Sequence, residues 1–163
     1  MNVREMLKED NNLIIIRAAE KIELTAINVV PSRDDLIAEH MGLDYFRDTN
    51  RRESLGPTVI LPEDAREDVS KLLLEESAYV WDAAKSCWPF YHVRAVFYRG
   101  SDSITTYFCF GCSVLFFEKD GATLGGEDFD PIALKLLPIF RKALPRNEIL
   151  ESVASNKSVP IAK

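Results

Sequence analysis

The chain has 163 residues, of which 47% are apolar and 28% are charged, with 8 Pro and 7 Gly. This length suits one globular domain, and the composition excludes collagen, coiled coils, disordered tails and disulfide-rich miniproteins. Twenty basic against 26 acidic residues give a net charge of −6, which has the wrong sign for binding a nucleic-acid backbone.

The N-terminal segment resembles no targeting signal. Its apolar run Leu13–Ile16 is closed by Arg17, whereas a signal peptide needs about 7–15 apolar residues and a membrane-spanning helix about 20. Three cysteines, an odd number, argue against a secreted disulfide framework. We therefore expect a cytoplasmic protein without membrane contact, whose thiols are reduced or bind a metal ion.

The first part of the chain predicts a short helix and a strand. Val3, Met6 and Leu7 have helical spacing, which indicates a helical turn at the start. Residues 21–26 alternate between polar and apolar side chains, which is typical of a half-buried strand.

Residues 32–42 predict a second helix. Ser32 followed by Asp35 resembles a capping box, and Gly42 suits the C-terminal end of the helix. Residues 47–54 are polar and predict a surface loop.

Residues 62–76 predict the clearest helix of the chain, after a short strand at residues 58–61. Pro62 fits the first turn because its missing N–H would be unpaired there in any case. Glu63 and Asp64 suit the positive end of the helix dipole.

The C-terminal half predicts a β-meander and a closing helix. Tight turns are expected at residues 100–102 and 119–121. The three strands between and around these turns cover residues 92–98, 104–108 and 114–118.

Asp130 and Pro131 predict the start of the last helix, with Asp130 as its N-cap. Pro138 should kink or split this helix. The acidic run at residues 125–130 lacks the ligand spacing of a calcium loop, so we interpret it as a loop that leads into the helix. Residues from 151 onward predict a frayed tail.

These elements predict an α+β fold: an antiparallel sheet of about 4–6 strands, with a C-terminal meander and helices mainly on one face. We expect one domain over residues 1–150 and a flexible tail over residues 151–163. The aromatic residues of the meander favour sheet core over a ligand pocket. The residues expected to be buried are Val93, Ala95, Phe97, Phe108 and Phe110.

Four potential ligands for a soft metal ion fall within 26 residues of the chain: Cys87, His92, Cys109 and Cys112. Zinc favours Cys and His in tetrahedral sets such as Cys3His, which often include one Cys-x-x-Cys pair. Cys87 lies five residues before His92, which is close enough to fold back onto it.

The predicted hairpin brings these residues together. A two-residue turn at residues 101–102 would place His92 opposite Gly111, with Cys109 and Cys112 on either side of that position. We therefore expect Cys109 to lie within about two positions of His92 across the strands.

The expected proximity of the three cysteines is compatible with several roles for their thiols. Cys109 and Cys112 are three residues apart, so they would point to opposite faces of a regular strand unless a bulge or turn forms at Gly111. The alternatives are a zinc site, inert buried thiols, and a redox or disulfide role. Nucleophilic catalysis by Cys87 with His92 has only their proximity in sequence to support it.

The meander is similar to that of a group of small uncharacterised bacterial proteins, which share a strand followed by Cys-Phe-x-Cys, a second strand and an acidic stretch. The matching segments are residues 81–87, 109–112 and 125–131, and the resemblance covers roughly residues 55–150. The resemblance implies a bacterial origin and supplies no activity.

For function, we expect a non-enzymatic domain that binds an unidentified protein partner, for example as an immunity-type inhibitor whose negative surface attracts a basic toxin. The alternatives are a zinc-stabilised structural domain and a Cys- or metal-dependent enzyme that uses the same four residues. No cofactor other than zinc is expected, and the sequence does not define the oligomeric state.

Overall fold

The computed structural model describes residues 1–29, 52–87 and 89–158. Its helices are α1 (Val3–Leu7), α2 (Asp10–Arg17), α3 (Glu63–Leu73), α4 (Asp130–Ala143) and α5 (Glu148–Ser158), with a 3-10 turn at Glu76–Ala78. Its strands are β1 (Lys21–Val29), β2 (Arg52–Ser54), β3 (Val59–Ile60), β4 (Val93–Arg99), β5 (Asp102–Cys109), β6 (Val114–Lys119) and β7 (Ala122–Asp128).

The strands form an antiparallel sheet in the order β2-β1-β4-β5-β6-β7, and β3 also pairs with β1. Strands β4 to β7 are joined by tight turns in sequence order and form the predicted meander. The combination of helices with this sheet confirms the α+β fold class.

The helices pack against one face of the sheet. The main core joins that face to α1–α5, and it includes all five meander residues expected to be buried. Four phenylalanine rings meet there at centroid distances of 5.0–5.9 Å. They come from β5, the turn after it, the connection between β7 and α4, and α4 itself: Phe108, Phe110, Phe129 and Phe140.

The hairpin between β4 and β5 differs in register from the prediction. Arg99 pairs with Asp102, so the two-residue turn consists of Gly100 and Ser101 and lies one residue earlier than expected. Gly100 has a φ of 57°, a left-handed conformation that this tight turn favours and that glycine adopts at little cost.

The acidic run at residues 125–130 was wrongly interpreted as a loop, because β7 extends to Asp128. The sequence conceals this strand because two glycines occupy its centre. A Cβ atom on Gly125 would lie 2.6 Å from the carbonyl oxygen of Met6, and one on Gly126 would lie 2.5 Å from that of Leu115. The glycines therefore permit close backbone contacts, although glycine is depleted in strands generally.

The C-terminal region differs from the predictions at two places. Helix α4 continues through Pro138, so the alternative that this residue splits the helix is wrong. Pro138 has no N–H group, so the carbonyl oxygen of Leu134, four residues earlier, lacks its usual helical hydrogen bond. Leu134 is exposed, so water can solvate this carbonyl group instead. Residues 151–158 are not a frayed tail but part of α5, which Asn147 caps through a 3.0 Å hydrogen bond from the N–H of Leu150.

The N-terminal half agrees with the sequence at α1, β1, β3 and α3, whereas α2 was not predicted. Residues 52–54, placed in a polar loop from the sequence, form β2. The predicted helix at residues 32–42 lies outside the described residues. Among the helices that the structure describes, none is long and apolar enough to cross a bilayer.

Candidate functional site

The cysteines lie at the end of the sheet where β5 turns into β6, together with His92, and this region is called here the cysteine corner. Cys87 and Cys112 form a disulfide bond with a Cα–Cα distance of 6.0 Å. The expectation that all three thiols are reduced or bind a metal ion is therefore wrong for these two residues. The odd cysteine count had argued against a secreted disulfide framework, with a disulfide role kept as one alternative, and one bond and one buried thiol account for all three residues.

Cys109, the last residue of β5, is the remaining thiol, and it is buried. Its Sγ accepts a 3.4 Å hydrogen bond from the backbone N–H of Cys112. The turn over residues 110–113 produces this contact, and its left-handed residue is Ser113, with a φ of 54°, instead of the expected Gly111. The turn that a common orientation of Cys109 and Cys112 required does form, but Ser113 instead of Gly111 provides its unusual backbone conformation.

His92 lies in the buried part of the same corner, immediately before β4. Its Nδ1 lies 3.1 Å from the carbonyl oxygen of Phe90, and its Nε2 lies 3.4 Å from the backbone nitrogen of Phe110. A carbonyl only accepts and an N–H only donates, so Nδ1 carries the proton and Nε2 carries the lone pair. Both ring nitrogens of His92 are therefore satisfied by backbone groups.

The structure brings the four predicted ligands to one corner but does not arrange them as a zinc site. The register places His92 directly before the Val93–Phe108 pair, which confirms that Cys109 is its near neighbour across the strands. Cys87 and Cys112 are bonded to each other, and the Nε2 lone pair of His92 accepts from Phe110. Within the described ranges, no group of three or more His, Cys, Asp or Glu residues is placed to hold a metal ion.

The Cys87–His92 pair likewise lacks the arrangement of a nucleophile and its base. The Cys87 sulphur is held in the disulfide bond, and the lone pair of His92 that would accept a proton is already hydrogen-bonded to Phe110.

An ion-pair network attaches the Cys87 loop to the end of β7. The Nζ atom of Lys85 lies 2.6 Å from the carbonyl oxygen of Cys112, 2.8 Å from Asp128 Oδ2 and 3.1 Å from Asp130 Oδ2. Burial alone would lower the pKa of Lys85, but the two carboxylates outweigh it and raise the pKa. The network therefore holds the ammonium group of Lys85 between two carboxylates beside the disulfide.

The side chain of Asp128, rather than that of Asp130, caps the first N–H group of helix α4, although the N-cap position itself is Phe129. The Oδ1 atom of Asp128 accepts a 2.8 Å hydrogen bond from the N–H of Asp130, which is the first residue of the helix. The prediction that Asp130 is the N-cap is therefore wrong. The reason is that β7 continues to Asp128, which leaves only Phe129 between the strand and the helix.

We expect Asp128→Ala to destabilise the fold by about 2–3 kcal/mol, because it removes both the cap and the buried partner of Lys85. Asp130→Ala removes an exposed ion pair and should cost about 0–1 kcal/mol. Urea unfolding of both variants measures the two losses. A loss for Asp130→Ala equal to or greater than that for Asp128→Ala would contradict this assignment of the cap.

The pH dependence of stability should report the burial of His92. Burial lowers the pKa of His92, against the weaker opposing effect of the hydrogen bond to Phe90. A histidine with a lowered folded-state pKa contributes stability above its ordinary pKa of about 6.5, and this contribution is lost as the pH falls through the folded-state value. We expect the free energy of unfolding to fall more steeply from about pH 7 to about pH 5 in the wild type than in His92→Gln. If the free energy of unfolding changed with pH in the same way in both proteins, the result would contradict a neutral, buried imidazole at His92.

A second candidate site lies beside β3, where two hollows of about 400 and 800 Å³ adjoin. Both are lined by Val59, Lys142 and Ala143, so the two hollows lie side by side, and together they are called here the β3–α4 groove. The smaller hollow lies between β3, α3 and α4, and the larger one lies between the β2–β3 connection and the start of α5. Volumes of this size are typical of binding sites.

The β3–α4 groove combines exposed apolar side chains with charged ends. Leu55 is 57% exposed, Ile60 63% and Ile149 44%, and all three line the groove. Asp64 and Asp68 line the smaller hollow, Arg146 and Glu148 line the larger, and Lys142 lines both. Sequence reasoning missed this site, because the residues come from segments about 80 positions apart and no motif marks them.

No protein-family model, curated protein or solved structure matches this chain. The resemblance of residues 55–150 to small bacterial proteins therefore stays a prediction.

Proposed function

We propose that the protein is a non-enzymatic binding protein whose β3–α4 groove accepts an apolar peptide segment of a basic protein partner. The observation that carries this proposal is the exposure of Leu55, Ile60 and Ile149 in the two adjoining hollows of the β3–α4 groove. Large aliphatic side chains that converge on a concave surface are typical of interaction sites, whereas isolated exposed ones are ordinary.

The peptide should bind through its side chains instead of adding a strand to the sheet. β3 is only two residues long, and Pro57 and Pro62 flank it. Short edge strands flanked by proline resist pairing with another chain. Affinity would therefore come from apolar anchor residues in the two hollows.

The charges support an orientation and a class of partner. A basic residue of the peptide would face Asp64 and Asp68 in the smaller hollow, because the larger hollow carries the opposite charges of Arg146 and Glu148 and Lys142 lines both. The net charge of −6 favours encounter with a basic protein. An immunity-type inhibitor of a basic toxin is one protein of this description.

Site-specific photocrosslinking in the native host tests the proposal. A benzoylphenylalanine at position 60 should form a covalent adduct with one basic protein. The same probe at position 134 is the matched control, because Leu134 is 61% exposed on α4 but does not line the groove.

Charge reversal identifies the orientation of the captured peptide. Asp64→Lys together with Asp68→Lys should weaken the adduct from position 60, because two carboxylates of the smaller hollow become cations. Failure of position 60 to form an adduct, or equal adducts from positions 60 and 134, would contradict the proposed function.

A further inference from the structure

The three cysteines are arranged around one central sulphur atom. Cys112 is bonded to Cys87 and at the same time donates its backbone N–H to the Sγ of Cys109. Cys109 and Cys112 belong to the same small buried cluster of side chains on the sheet face opposite the main core. A third sulphur that is not in the disulfide bond is thus held beside the bonded Cys112.

The turn geometry is compatible with a bond between Cys109 and Cys112. Residues three apart in a tight turn have Cα atoms less than about 7 Å apart, and disulfide bonds span Cα distances of about 4.4–6.8 Å. The backbone hydrogen bond to Cys109 Sγ shows that its side chain is directed toward Cys112.

The two alternative partners of Cys112 differ in exposure. Cys87 lies in an exposed loop, whereas Cys109 is buried at 3% exposure. A bond from Cys112 to Cys109 would therefore keep the internal sulphur atoms paired and leave the surface sulphur as a thiol.

We propose that Cys112 exchanges its disulfide partner from Cys87 to Cys109, and that the released Cys87 thiol is a site of modification by low-molecular-weight disulfides. In the first step Cys109 loses its proton to water and its thiolate attacks Cys112 Sγ. The Cys109–Cys112 bond forms, the Cys87–Cys112 bond breaks, and Cys87 leaves as the thiolate with the electron pair.

In the second step the Cys87 thiolate attacks one sulphur of an external disulfide. A mixed disulfide forms on Cys87, and the other half of the reagent leaves as a thiolate that takes up a proton. The external disulfide supplies the oxidising equivalent, so no other oxidant is needed.

Incubation of the unreduced protein with oxidised glutathione, followed by peptide mapping, tests this exchange. The expected product carries one glutathionyl group on Cys87 and a Cys109–Cys112 disulfide. In Cys109→Ser the attacking sulphur is absent, and the yield of the Cys87 adduct should fall by about tenfold or more. An unmodified protein with Cys87–Cys112 intact, or an adduct on Cys109, would overturn the proposal.

A second variant keeps the test valid if Cys109→Ser does not fold. Cys87→Ser retains Cys109 and Cys112, and the substituted side chain is exposed. Oxidised glutathione should convert these two thiols into a disulfide and release two molecules of glutathione. Two free thiols, or a glutathionyl group retained on either residue, would show that the turn does not permit their bond and would overturn the exchange.

Discussion

Replacement of Phe97 by alanine should destabilise the protein by about 3–5 kcal/mol, because it removes a large aromatic ring and leaves a cavity. Phe97 is 0% exposed and lies in β4, where it pairs with Ile22 of β1 on one side and Ile104 of β5 on the other. Neighbouring strands fix the backbone on both sides, so the site cannot collapse to fill the space. Urea unfolding of the two proteins measures the loss.

Phe90→Ala is the matched control, because the same atoms are removed from a side chain that is 51% exposed. Its cost should be below about 1 kcal/mol, since little apolar surface is lost from the interior. Similar losses for the two variants would mean that Phe97 does not face the main core.

Removal of the disulfide by Cys87→Ser should cost about 3–4 kcal/mol, because a bond across a sequence separation of 25 residues restricts the unfolded chain. The Cys87 side chain is exposed, so the substitution leaves no cavity. Thermal or urea unfolding in the presence of a reducing agent measures the effect.

The reduced wild type provides the control for this variant. Dithiothreitol should lower the stability of the wild type to that of Cys87→Ser and should not change the variant further. A wild type that is equally stable with and without the reducing agent would contradict a stabilising bond between Cys87 and Cys112.

Local sequence patterns predicted most of the meander and its core, because alternation of side chains and turn residues act over a few positions. The errors occur where distant contacts override local preference. Gly125 and Gly126 lie in β7 because the backbones of Met6 and Leu115 approach them closely. Helix α5 forms where polar residues suggested a tail, because Leu150 is buried in the main core.

The position of the cysteine corner could be predicted from the sequence, but the disulfide bond between Cys87 and Cys112 could not. Strand pairing follows from turn length, so the proximity of His92 and Cys109 could be inferred from the sequence. The choice between metal binding and a disulfide depends on which atoms face each other, and Cys87 lies in a loop without any periodic pattern. The groove could not be inferred, because its lining is brought together only when β3 packs near α4.

The most direct test of the binding role measures how one substitution in each of the two candidate sites changes the affinity for the same partner. Isothermal titration calorimetry of the photocrosslinked partner, once purified, should give an affinity for Ile60→Glu at least about tenfold weaker than for the wild type, or about 1.4 kcal/mol. The affinity for His92→Gln should equal that of the wild type, because His92 lies in the cysteine corner and does not line the groove. Unchanged binding by Ile60→Glu together with lost binding by His92→Gln would contradict the groove as the binding site and assign that role to the cysteine corner.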